Sequence, residues 1–182
     1  NGTSALHVSL ASIGIQPGDE VIVPALTFVA TANVVRYCGA EPVFMDCDKE
    51  TLCIDAGKTK DFLDNNTCKD SRGMTINKRT GRPVRAIIPV HIFGHPADME
   101  RLLEIAGEYN LTVIEDASES IGSEYKGRRT GIFGKAGCYS FNGNKIITTG
   151  GGGMVVTDDE VLSMKIRHLT TQARSDIFEY DH

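Results

Sequence analysis

The sequence predicts an α/β protein built on a mainly parallel sheet with helices on both faces. Short apolar runs recur along the chain and alternate with segments whose apolar residues fall at helical spacing. Gly or Pro punctuates many of the junctions. With 182 residues, 41% of them hydrophobic, the chain can bury one substantial core.

Ala5, Leu6, Ser9, Leu10 and Ile13 recur at helical spacing after Gly2-Thr3-Ser4, and Gly14 supplies a stop. Glu20 to Pro24 (EVIVP) has the pattern of a short buried strand. Thr27 to Tyr37 follows as a second helix, ended by Gly39, and Pro42 to Asp46 is the next strand. Lys58 to Asn65 predicts a short helix. The polar, basic segment Thr67 to Arg85, with Lys78, Arg79, Arg82 and Arg85, interrupts the alternation. It is expected as a β-hairpin excursion turning near Thr80-Gly81, its basic residues serving as a solvated loop or a binding patch. Ala86 to His91 is an apolar strand. Pro96 opens a helix with Met99, Leu102, Leu103 and Ala106 on one face. The remaining elements are strands at Leu111 to Glu115, Ala136 to Phe141 and Gly153 to Thr157, and a helix from Asp159 to His168. In parallel sheets ligands collect at the carboxyl ends of the strands, so chemistry is expected there.

Composition narrows the function. The 19 Lys and Arg against 24 Asp and Glu give a net charge of −5, which argues against a general nucleic-acid binder. No stretch approaches the roughly 20 apolar residues of a membrane span, and no signal peptide opens the chain. The five cysteines are odd in number and form no C-x-x-C pair. They are expected as reduced, mostly buried thiols in a cytoplasmic protein. Starting at Asn1 without an initiator Met, the chain is expected to be a piece of a longer one.

Four places at strand or helix ends carry candidate chemistry. Asn1-Gly2-Thr3-Ser4 begins a helix, where free N–H groups can bind an anion or a Ser or Thr can simply cap. Asp116 follows a strand and fits a helix cap, a metal ligand or a partner for a cationic ring nitrogen. Glu115 and Glu119 leave metal binding open, but no histidine is close in sequence. Lys145 lies in Ser140-Phe-Asn-Gly-Asn-Lys145 after a strand, and is either a solvated surface lysine or an amine held for Schiff-base chemistry. Gly150 to Gly153 is either a flexible turn or a place where backbone passes tightly beside a ligand.

Together these are the parts a pyridoxal 5'-phosphate (PLP) site needs: fixed donors for a phosphate, a carboxylate for the pyridine nitrogen and a lysine for the aldehyde. The runs GTSAL (Gly2 to Leu6), DEVIVPALTFVATANVV (Asp19 to Val35), PVHIFGHPADM (Pro89 to Met99), VIEDASES (Val113 to Ser120) and SFNGNKIITTGGGGM (Ser140 to Met154) carry a resemblance. Their order and spacing are similar to those of the DegT/DnrJ/EryC1/StrS family of nucleotide-sugar aminotransferases, over essentially the whole chain. The resemblance implies a three-layer, fold-type I PLP-dependent transferase large domain spanning 1–182, without the family's N-terminal segment and C-terminal domain. It implies a cytoplasmic homodimer with a shared active site that transfers an amino group, usually from glutamate, to a nucleotide-linked keto sugar. Lys145 would be the catalytic, cofactor-linked lysine, and Asp116 the partner of the pyridine nitrogen. Thr3, Ser4 and Ser140, beside Gly2, would hold the phosphate. Phe28 falls at the ring-stacking position, where a core-packing Phe is the other reading. Glu119 stands where the family commonly has Gln, and GGGG where it often has G-E-G-G.

Within the family, the 67–85 excursion and the SFNGNKIITTGGGGM wording resemble the LegC-like branch, which serves nonulosonic acid biosynthesis. A PLP-dependent sugar dehydratase would carry His at the Lys145 position. A catalytically inactive fragment with a binding or regulatory role is the other alternative. A Rossmann nucleotide-binding domain is disfavoured because no glycine fingerprint follows the first strand. His91, His95 and the hairpin arginines either contact substrate or pack and solvate.

Overall fold

Successive residues of a strand face opposite sides of its sheet, and here both sides are apolar. In the computed structural model, which describes residues 1–173, Val21 and Val23 enter one core while Ile22 enters the other. The same split separates Ala86 and Ile88 from Ile87, and Ile114 from Val113. Such strands need cover on both faces, and the chain supplies it.

The elements in order are helix α1 (Gly2–Ser12), strand β1 (Glu20–Pro24), α2 (Ala30–Tyr37), β2 (Glu41–Met45) and α3 (Ala56–Asn66). Next come β3 (Thr67–Lys69), β4 (Thr75–Asn77), β5 (Val84–Ile87), a 3-10 turn (Ile92–Gly94), α4 (Met99–Tyr109) and β6 (Thr112–Asp116). The last are β7 (Glu124–Tyr125), β8 (Arg128–Arg129), β9 (Ala136–Ser140), β10 (Gly153–Val156) and α5 (Glu160–Thr170). Across the main sheet the strand order is β10-β9-β6-β5-β1-β2. All its neighbours pair in parallel except β10, which lies antiparallel to β9. Helices α1, α2 and α5 cover one face and α3 and α4 the other, giving the expected three layers. Leu6 and Leu10 of α1 are completely buried, each contributing about 1.5–3 kcal/mol by leaving water. The chain runs from β1 to β2 on one side and later places β5 on β1's other side. The carboxyl ends of β1 and β5 therefore diverge and leave a crevice.

Several boundaries differ from the sequence expectation for identifiable reasons. Helix α2 begins at Ala30, not Thr27, because 25–29 form the turn that carries Phe28 past the end of β1. Strand β5 stops at Ile87; Pro89 has no N–H to donate, although its carbonyl still accepts from Asp116 N at 2.9 Å. Helix α4 begins at Met99 rather than at Pro96, because Asp98 caps it by accepting Arg101 N–H; Ala97, before the cap, donates to His91 Nδ1. The two-residue ribbon of β7 and β8 was too short to leave a periodic signal.

The 67–85 excursion has two turns. β3 and β4 pair around Asp70–Gly73, and Thr80-Gly81 forms a second turn that brings Arg82 back to Asn77. Asn77 Nδ2 and Thr80 Oγ1 each donate at 2.7 Å to the buried carboxylate of Glu20. Glu20 starts β1, so the excursion is fixed at the amino end of the sheet, the end opposite the crevice. Its arginines are accordingly remote from the carboxyl-end chemistry. The cysteines are all free, but only Cys53 and Cys138 are buried; Cys38 and Cys47 are half-buried and Cys68 is exposed, which corrects the mostly buried expectation. No described helix is long and apolar enough to cross a membrane.

Candidate active site

A cleft of about 200 Å³ opens at the carboxyl ends of the strands. Of the residues singled out in the sequence, Gly2, Thr3, Phe28, Asp116, Glu119, Ser140 and Lys145 line it. They arrive from the start of α1, the turn after β1, the end of β6 and the end of β9. Ser4 does not line it. Its N–H and its hydroxyl both donate to Asn1 Oδ1, at 2.9 and 3.1 Å, so Asn1 caps the helix where a Ser or Thr cap was considered.

With Ser4 N taken by the cap, the first N–H groups of α1 lie beside the cleft with the positive end of the helix dipole. Gly2 makes that approach possible. A Cβ there would lie 2.8 Å from Ser140 Cβ and 2.9 Å from Ser118 Oγ, so two hydroxyl-bearing side chains converge on a space no side chain fills. The last residue of the glycine run has a matching role. A Cβ on Gly153 would lie 2.4 Å from the Asn1 carbonyl oxygen, so this glycine lets β10 pass tightly along the entry to α1.

Strand pleating sends the adjacent Glu115 and Asp116 to opposite faces. Asp116 accepts Ser118 N–H on Oδ1 at 3.1 Å and the Thr31 hydroxyl on Oδ2 at 2.8 Å. Glu115 is fully buried on the other side. It accepts His91 Nε2 at 2.9 Å, Gly131 N at 2.7 Å, Phe133 N at 2.6 Å and Gly134 N at 2.7 Å. Burial pushes its carboxyl up, but His91 and the N–H groups of Gly134 and Gly131 outweigh that and hold it below the ordinary carboxylate value. Because Ala97 N–H donates to His91 Nδ1 at 3.1 Å, the ring proton sits on Nε2. His91 is thus a buried brace, and His95 lines a separate shallow cleft with Asp48 and Tyr125. Among the described residues no three His, Cys, Asp or Glu side chains group as a metal site.

Lys145 sits in the loop between β9 and β10, where Phe141 O accepts Thr149 N–H and the Thr148 hydroxyl at 3.0 and 3.1 Å. Its side chain is only 13% exposed, and Nζ pairs with Glu119 Oε1 at 3.1 Å. The other Glu119 oxygen accepts Phe93 N–H at 3.0 Å, at a residue held at φ 52°. Part-open to solvent, the Lys145–Glu119 pair holds the amine by about 1 kcal/mol or less, so an incoming electrophile can displace it. Phe28 is 70% exposed at the cleft and is therefore not a core-packing residue. Behind the site, burial pushes the Cys138 thiol up to about 12, which removes it as a nucleophile.

Sequence reasoning passed over Thr27, Thr31 and Ser118, and placed Asn1 in the helix start without identifying it as the cap. The i, i+4 spacing of Thr27 and Thr31 after a strand, and a hydroxyl two residues beyond Asp116, were the available signals.

Known proteins of one family match this chain in sequence and in fold. The profile of the DegT/DnrJ/EryC1/StrS aminotransferase family matches residues 1–181. GDP-perosamine synthase of Caulobacter vibrioides is 48% identical over 172 residues, covering 94% of this chain and 42% of that protein. The putative pyridoxal phosphate-dependent aminotransferase EpsN of Bacillus subtilis is 40% identical over 182 residues, covering 100% of this chain and 44% of that protein. A crystal structure of a DegT DnrJ EryC1 StrS aminotransferase from Brucella abortus superposes with a TM-score of 0.87 at 35% identity, over 100% of this chain and 46% of that one. The chain thus spans less than half the length of these relatives. It belongs to the DegT/DnrJ/EryC1/StrS aminotransferase family.

Proposed function

We propose that residues 1–182 form the PLP-binding large domain of a longer homodimeric aminotransferase that moves an amino group, usually from glutamate, onto a nucleotide-linked keto sugar. The observation that carries this reading is the convergence of Lys145, Asp116, Ser140 and the Gly2-Thr3 helix start on one cleft. The residues fit pyridoxal phosphate: the amino end of α1 lines the cleft beside Thr3 and Ser140, giving N–H groups and hydroxyls of the kind a phosphate requires. Bound there, the cofactor supplies an electrophilic carbon and an electron-withdrawing ring.

The chain's own groups do the rest. Gly2 and Thr3 N–H groups with the Thr3 and Ser140 hydroxyls hold the phosphate; Ser4 joins them only by leaving Asn1. Phe28 would lie against the ring and limit water, and Asp116 would face the ring nitrogen. Lys145, released from Glu119 as the free amine, would be the group that holds the cofactor's carbonyl carbon, and once displaced would carry a proton to and from the carbon bearing the transferred nitrogen. Glu119, acceptor-only where the family's Gln can also donate, stands beside Lys145 and the ring. The exposed Phe28, Phe93, Ile146 and Ile147 supply apolar surface for a second subunit to cover. The narrower LegC-like placement rests on the wording of Ser140 to Met154, since the 67–85 excursion lies at the far end of the sheet.

Full-length protein loaded with PLP is expected to sediment as a dimer and to lose its visible absorbance band on addition of L-glutamate, releasing 2-oxoglutarate. A band unchanged by glutamate, glutamine and aspartate would overturn the aminotransferase reading.

A further inference from the structure

Asp116 is held by a hydroxyl chain whose polarity can be worked out from its atoms. Thr31 Oγ1 donates to Asp116 Oδ2 at 2.8 Å, and Thr27 Oγ1 lies 2.9 Å from Thr31 Oγ1. A carboxylate only accepts, and a threonine hydroxyl has one hydrogen. The Thr31 hydrogen is therefore committed to Asp116, and Thr27 must donate to Thr31. Thr31 is fully buried in the first turn of α2, while Thr27 lines the cleft. The Ser118 N–H on the other carboxylate oxygen completes the clamp, so the carboxylate cannot rotate without breaking a charge-assisted bond.

We propose that Thr31, aimed by Thr27, is the positioning residue that fixes Asp116 as an acceptor facing the cleft. The partner it presents Asp116 to is the cationic nitrogen of an aromatic cofactor ring, so the inference rests on the cofactor reading above. Thr31 itself touches no ligand and acts through Asp116. Removing its hydroxyl leaves Asp116 Oδ2 short of a donor in a buried setting, which weakens and misdirects the contact with the ring.

The test uses full-length protein and reads the visible band of bound PLP, by titration with cofactor and against pH. Thr31→Val keeps the shape and loses the donor; Thr31→Ser keeps the donor and loses a methyl. Thr31→Val is expected to bind PLP about tenfold more weakly and to shift the pH at which the band changes, with Thr31→Ser restoring both. Values for Thr31→Val equal to wild type, or equal impairment in Thr31→Val and Thr31→Ser, would overturn the proposal. If Thr31→Val does not fold, Thr27→Val, which removes only the aiming hydroxyl, should shift the band's pH dependence in the same direction; no shift overturns the proposal. Wild-type protein that forms no band with PLP removes the cofactor reading and this inference together, an outcome distinct from a normal band that ignores Thr31.

Discussion

Glu115→Ala is expected to lower the stability of the fold by about 3–5 kcal/mol, the range for removing one side of a buried charged network. Four donors converge on this carboxylate, three of them backbone N–H groups of 131–134. Truncation leaves them without an acceptor, His91 and Gly131 in the core and Phe133 and Gly134 half-buried, and a fully buried group of this kind costs about 1–3 kcal/mol before relaxation. Against a total stability of about 5–15 kcal/mol that is a large fraction. Urea titration of the cofactor-free protein measures it, and a midpoint within error of wild type would contradict the account. Glu115 also gives a pH dependence. Its folded-state value lies below the ordinary 4.5 because the donors outweigh burial. Its contribution is therefore fully present above about 4.5 and is lost as pH falls below that toward the folded-state value. A stability curve for wild type minus Glu115→Ala should be flat from neutral pH down to that point and shrink beneath it.

Asp116→Asn is expected to fold normally and to lose about three orders of magnitude in transamination rate. The side chain keeps its size and its one oxygen can still accept from Ser118 N–H, while its amide nitrogen can only donate, so the Thr31 hydroxyl must reverse and accept for the second contact to survive. What goes is the negative charge. Two opposite unit charges about 4 Å apart attract by about 4 kcal/mol at an effective dielectric constant of about 20, and about 1.4 kcal/mol is a factor of ten in rate. Single-turnover kinetics of the PLP-loaded, full-length protein with glutamate provide the measurement. A loss under tenfold would mean that Asp116 shapes the cleft without stabilising charge on the ring.

Much of the fold was legible because both faces of its strands are apolar. EVIVP and the runs around Ile87 and Ile114 read as buried strands from composition alone, and their alternation with helical spacing implied a parallel sheet. Helix starts were less legible: α4 waits for the Asp98 cap beyond Pro96, and α2 for the end of the turn that carries Phe28. The site residues were individually ambiguous, since Lys145 alone resembles any surface lysine and Asp116 any cap. Their convergence is a property of sheet order that one sequence window does not contain. The contrast between Glu115 and Asp116 needed the pleat to assign one to bracing and the other to the cleft. Gly153 is explained only by the backbone of Asn1, which lies at the other end of the sequence.

A covalent bond between Lys145 and the cofactor can be trapped by reduction. Full-length protein is incubated with PLP, treated with borohydride, digested and mapped by mass spectrometry. The expected result is a pyridoxyl-phosphate adduct on Lys145, and neither adduct nor visible band in Lys145→Ala. An adduct on another lysine such as Lys135 or Lys165, or a Lys145→Ala protein with an unchanged band, would contradict it.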